Sequence, residues 1–292
     1  MAFLEEVIAR MPGTFATLEE CKRWWHVVLR RNLHVIVGVR RDLMDGVSPS
    51  HGTKEDVRTL LYQSFSDSKP GNTVWCHSGR TTHVASHEML MELQRCREDI
   101  ERWERASGSI IGPLIDQGKG TKDEWLARVL MVQKATNLIT LASTLSPPET
   151  AYDDFMSEFR TIVTLASCLP QFSPSADRGP VFQFPIAVVP GLYNVGLRCR
   201  DKVVRGQAID MLLKRPGYQE GLWDAFEMGR LAALMRDIEE VGMDDMGYIP
   251  AASRASWMGA EVYGEEKMTH VHYVLGIGTG GDEVVKTKIL KW

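Results

Sequence analysis

The sequence predicts an all-α fold of antiparallel helix pairs in a repeat-like stack, closed by a small C-terminal β hairpin. Three observations carry this. Capping-box patterns, Thr17-x-x-Glu20 and Thr121-x-x-Glu124, each precede a long stretch with helical periodicity. Apolar residues recur at spacings of three and four through most of the chain. Only the last 25 residues change to alternation.

The first capping box opens a helix with Leu18, Cys21, Trp25, Val28 and Leu29 on one side, running to about Asp45 with Gly46 as its stop. Residues 48–72 are polar and broken by Gly, Ser and Pro, so a loop is expected there, with one short helix near residues 57–65. Residues 87–106 predict a second helix with Leu90, Leu93 and Ile100 on its buried stripe, and residues 108–119 a linker. From Thr121 to about Leu145 the helix is apolar on most sides, which places it in the interior. Pro147 and Pro148 break it. Tyr152, Phe155, Phe159, Ile162, Val163, Ala166 and Leu169 then make an amphipathic helix, and residues 170–185 are irregular.

Pro190 suits the first turn of the next helix, which carries Leu192, Tyr193, Val195 and Leu197. Residues 203–214 predict a helix ended by Pro216 and Gly217. Residues 221–240 predict another, with Leu222, Trp223, Phe226 and Leu231 on it and Gly242 as C-cap. Val271, Tyr273 and Leu275, then Val285, Thr287 and Ile289, alternate as two strands. The chain therefore reads as one domain over residues 1–292, with a helical body of about 14–245 and a β tail of about 268–292.

Composition narrows the function classes. The 292 residues are 44% hydrophobic and 25% charged, with a net charge of −4. That balance argues against an autonomous DNA reader, whose affinity rests on phosphate neutralisation. Cys21, Cys76, Cys96, Cys168 and Cys199 form no C-x-x-C pair, so the expectation is reduced thiols, most of them buried as small hydrophobes. No secretory signal and no apolar run of membrane-spanning length is read.

Several patterns invite a chemical reading. The run from Gly276 to Gly281 fits G-x-G-x-x-G, but no helix or acidic residue follows it in the required place, so a hairpin loop is expected. His83 and His87 are four apart, near Cys76 and His77, yet Val84 stands where a zinc-protease motif needs Glu. His270 and His272 share one strand face, which reads as solvated. Asp153-Asp154 and Asp244-Asp245 each lack the third acid of a D-D-x-x-D motif, since Ser157 and Tyr248 hold those positions. Glu239-Glu240 is a further acidic pair. For Asp153-Asp154 the favoured role is charge at a helix N-terminus. Eight Trp and fourteen Met residues read first as core packing and second as the lining of an apolar ligand pocket. No catalytic residue is assigned, and neither a cofactor nor a metal is expected.

Residues 138–169 and 197–225, LRCRDKVVRGQAIDMLLKRPGYQEGLWDA in the second, resemble the C-terminal regulatory region of fungal six-cysteine zinc-cluster transcription factors. Two further pieces agree in order. FATLEECKRWWHVVLRRN, from Phe15, resembles the entry helix of that region, and VHYVLG with VVKTKILKW resembles its closing hairpin. The resemblance implies a nuclear, helical regulatory domain, tied to a secondary-metabolic gene cluster. The family's zinc cluster and basic linker are not among these residues. The chain is therefore expected to act without direct contact to nucleic acid or membrane, through a DNA-binding partner protein or as a homo-oligomer, and to sense a small apolar ligand. The alternative is a repurposed pathway enzyme or ligand-binding protein that isomerises or cyclises an apolar intermediate. A truncated relative, with its gene start upstream of Met1, is the third account.

Overall fold

A computed structural model of the chain describes residues 2–45, 73–76, 85–145, 148–172, 179–183, 187–263, 265–276 and 284–291. The expected loop over residues 48–72, its short helix, Gly46, His77 and His83 lie outside them.

The fold is mostly helical, but "all-α" understates its sheet. Helix α1, Ala2–Ala9, precedes α2, Leu18–Asp45. Thr17 starts α2 by accepting the Glu20 amide at 3.2 Å, while the Glu20 carboxylate reaches back to the Ala16 amide at 2.8 Å. Helix α3 spans His87–Gln117 and is longer than expected. Ser86 caps its start, and Gly118, at a φ of 57°, closes its end. Pro113 lies inside it and removes one backbone hydrogen bond. The helix continues because Trp103, Ala106 and Ile111 are buried there, and that burial outweighs the Gly and Pro penalties. Leu90, expected inside, is exposed.

Helix α4, Lys122–Ala142, starts with the same capping reciprocity at Thr121 and Glu124. It runs on as a 3-10 turn, Ser143–Leu145. It is buried on most sides, as its sequence predicted, because it walls two apolar cores. Ala127, Leu130 and Leu141 face the first core, with Trp25, Val28, Ile100 and Trp103 of α2 and α3. Val132, Ala135 and Ile139 face the second. In the first core the Trp25 and Trp103 rings lie 4.8 Å apart, and their N–H groups donate to Gln133 and to the Cys21 carbonyl.

The second core gathers α5 (Met156–Ser167), α6 (Val189–Arg198), α7 (Lys202–Leu213) and α8 (Ala225–Glu240). A 3-10 helix, Glu149–Phe155, leads into α5. Pro190 falls in the first turn of α6, and Asp201 caps α7 by accepting two amides at 3.0 Å. Helix α8 starts later than expected, at Ala225. Trp223, expected on that helix, sits in a short strand with its ring 5.9 Å from Tyr193, and Leu222 is exposed.

Strand β1 is Thr73–Cys76, β5 is Ala255–Tyr263, β6 is Met268–Leu275 and β7 is Lys286–Lys291. They form an antiparallel sheet in the order β1-β5-β6-β7. The expected hairpin is its β6–β7 half, and β1 and β5 enlarge it. Val271 and Tyr273 of β6 and Ala255 and Ala260 of β5 join the second core. The remaining strands, β2 (Val181–Gln183), β3 (Tyr218–Glu220) and β4 (Trp223–Asp224), make a three-stranded sheet with β2 and β3 parallel.

Candidate functional site

A cluster of arginines and carboxylates joins α6, α7, α8 and the large sheet. Its acids are Glu149, Glu239 and Asp153. Glu239 is fully buried on the last turn of α8. It accepts from Arg205 at 2.7 Å, from the Ala255 amide at 2.7 Å and from Arg200. Glu149 accepts from Arg198, from Arg200 at 3.1 Å and from Ser256 at 3.0 Å. Asp153 takes the Arg254 guanidinium through both oxygens, at 2.8 and 2.9 Å. Arg254 also donates to the Ile249 and Glu149 carbonyls and to the Tyr248 hydroxyl.

Local sequence explains the placement. Arg198 ends α6, where a cation complements the helix dipole, and its guanidinium lies 4.5 Å from the centre of the Tyr152 ring. Arg205 shares the apolar stripe of α7 with Val204, Ala208, Ile209 and Leu212. Glu239 follows Met235 and Ala232 by four and seven residues on the buried stripe of α8. Each helix thus turns one charge inward, and the two charges meet.

Burial works against every charge here. It would raise the Glu149 carboxyl, yet Arg198 and Arg200 hold it below its ordinary value. Burial pulls Arg205 down despite the opposing pull of Glu239. Burial opposes Arg254 too, but the hydrogen bond and charge of Asp153 keep it above its ordinary value. Guanidinium groups do not release protons in proteins, and these carboxylates are committed to them. The arrangement positions charge and does not move protons.

Arg40, on α2, approaches the same cluster. Among the described residues it has no carboxylate partner. Its Nη2 lies 3.5 Å from the Ser143 hydroxyl, and its Nε is buried with no hydrogen bond. Burial, then the nearby charge of Arg198, pull its pKa down, against the influence of Tyr152.

The residues singled out from sequence fall elsewhere or serve structure. Asp153 lies three residues before the start of α5, and its carboxylate also holds Arg254. Asp244 closes a turn by accepting the Met246 and Tyr248 amides. Gly242 does not cap α8 in the left-handed region; its lack of a side chain admits Ser253, whose Oγ would lie 2.1 Å from a Cβ. His87 begins α3. His270 and His272 lie half-buried on one face of β6, more covered than a solvated face. The His270 ring lies tilted against Tyr263, centroids 4.7 Å apart, and His272 meets the Thr287 hydroxyl at 2.9 Å. Most of the Gly276–Gly281 pattern lies outside the described residues. Among those residues no three metal-binding side chains converge, and no helix is long and apolar enough to cross a membrane.

Cys21, Cys96 and Cys199 are buried and pack as small hydrophobes. Burial pushes Cys21 and Cys199 up to about 11 and Cys96 up to about 12, while Cys168 is exposed. A further acid, Glu220, was not singled out from sequence. It accepts the Ala187, Val188 and Val189 amides at the start of α6, and burial raises its pKa above the ordinary value.

Compared with known proteins, the chain matches no family model, no curated protein and no solved structure.

Proposed function

We propose that this chain is a regulator-like helical domain, similar to the regulatory region of fungal zinc-cluster transcription factors. In this reading it acts in the nucleus on a secondary-metabolic gene cluster, through a DNA-binding partner or a second copy of itself. One observation supports the reading above others. The two stretches that carry the resemblance are bonded to each other, since Arg198 and Arg200 of the second grip Glu149 of the first. The two stretches are therefore parts of one packed unit.

The buried acids support the same reading. Glu149, Glu220 and Glu239 each hold backbone amides or arginines. Their chemistry is spent on architecture, as a scaffold for protein contacts requires. The net charge of −4 fits action without gripping a phosphate backbone.

Deletion of the gene in its native host tests this, with neighbouring transcripts and metabolites scored together. Loss of neighbouring transcripts is the expected result. Unchanged transcripts with one accumulating intermediate would overturn the regulatory reading.

A further inference from the structure

Among the described residues, the arginine cluster is short of negative charge. Arg40, Arg198, Arg200, Arg205 and Arg254 are five cations, against the three anions Glu149, Glu239 and Asp153. Both oxygens of each carboxylate already accept from the other four arginines. Arg40 is left over. Its neighbour Ser143 donates its hydroxyl proton to the Thr140 carbonyl at 2.8 Å, so it offers Arg40 a neutral lone pair and no charge.

An uncompensated cation in a partly dry site is unfavourable, and a second cation nearby makes it worse. Arg198 is that second cation. Buried charges in proteins are ordinarily paired, and guanidinium groups match oxyanions in shape as well as sign. Arg40 stays partly open to water, so a small solute can reach it. The Ser143 hydroxyl adjoins the position, and Tyr152 and Arg198, themselves stacked, are near enough to act on its charge.

We propose that Arg40, with Arg198 and Ser143 beside it, binds the carboxylate or phosphate group of a small acidic metabolite. The site adds an acidic group to the apolar ligand expected from the sequence. It stands whether or not the protein regulates transcription.

Thermal unfolding of the 292-residue chain tests it, with inorganic phosphate and with acetate titrated against chloride at equal ionic strength. A saturable rise in melting temperature with one oxyanion is the expected result, because a ligand that binds only the folded state stabilises it. The anion that acts identifies the head group. Arg40→Met should abolish the rise. Arg40→Lys should weaken binding by about tenfold or more, through loss of the planar fork. Arg97→Gln, at an exposed ion pair on α3, should leave the rise unchanged. The proposal is overturned if neither oxyanion exceeds chloride in the native sequence, or if the rise survives in Arg40→Met. Should Arg40→Met fail to fold, unweakened binding in Arg40→Lys overturns it as well.

Discussion

Arg205 and Glu239 meet at 2.7 Å between α7 and α8, with side chains 2% and 0% exposed. The same carboxylate holds Arg200 and the first amide of β5, so one acid ties two helices to the sheet. Removing its charge leaves the buried Arg205 without its anion and Arg200 with Glu149 alone. Glu239→Gln is nearly isosteric and should still cost about 3–5 kcal/mol. Urea denaturation would show this as a lower midpoint at unchanged slope. A loss below about 1 kcal/mol, the range of exposed pairs, would mean that water screens the cluster.

Glu149 predicts how stability responds to acid. Its folded-state pKa lies below the ordinary value, so the folded protein holds this proton less readily than the unfolded chain. The resulting stabilisation is complete above the unfolded pKa, about 4.3, and is lost as pH falls through the folded value. Glu149→Gln removes the contribution at every pH. The stability gap between the two proteins should therefore be constant above about pH 5 and close in stronger acid. Denaturation midpoints across that range would check it, and a gap that does not change with pH would contradict the account.

Local signals carried much of the fold. Thr17, Thr121 and Pro190 start helices where capping chemistry and the proline ring place them. The alternation of Val271 and Tyr273 placed the sheet strand that packs on the helices. What failed was non-local. Gly108, Gly112 and Pro113 read as a linker, yet burial around Trp103 and Ile111 carries the helix through them. Strand β5 was hidden by the register shift between Trp257 and Gly259, which breaks its alternation. The arginine cluster was missed because Glu149 with Asp153, Arg198 and Arg254 come from three separate stretches. One signal was available, since Arg205 and Glu239 interrupt apolar stripes on their helices.

Asp153 is itself 45% exposed but holds an arginine that is 1% exposed. A half-exposed acid would ordinarily contribute little. Here the partner is the buried one, and its charge depends on both oxygens of Asp153. Asp153→Ala should cost about 1–3 kcal/mol, from a buried charged donor left unmet. The loss should be felt first where Arg254 holds the Ile249 carbonyl and Tyr248. Faster amide exchange over residues 248–256 than over α4 would show it. Uniform exchange would point to global loosening instead.

Two helical glycines should respond to alanine with opposite signs. A Cβ on Gly229 of α8 would lie 2.9 Å from the Leu212 Cβ and 3.0 Å from the Leu213 backbone nitrogen of α7. A backbone atom cannot rotate away, so the two helices must separate. That overlap costs about 1–3 kcal/mol, more than the roughly 0.8–1 kcal/mol that alanine gains over glycine in a helix. Gly229→Ala should therefore destabilise. On α3, nothing lies within 4 Å of a Cβ on Gly108, and the residue is exposed. There only the helix preference acts, and Gly108→Ala should stabilise by about 0.5–1 kcal/mol. Thermal melts of the two variants decide both points. Destabilisation by Gly108→Ala would argue that α3 is not continuous through that position, and stabilisation by Gly229→Ala would argue that α7 and α8 do not approach so closely.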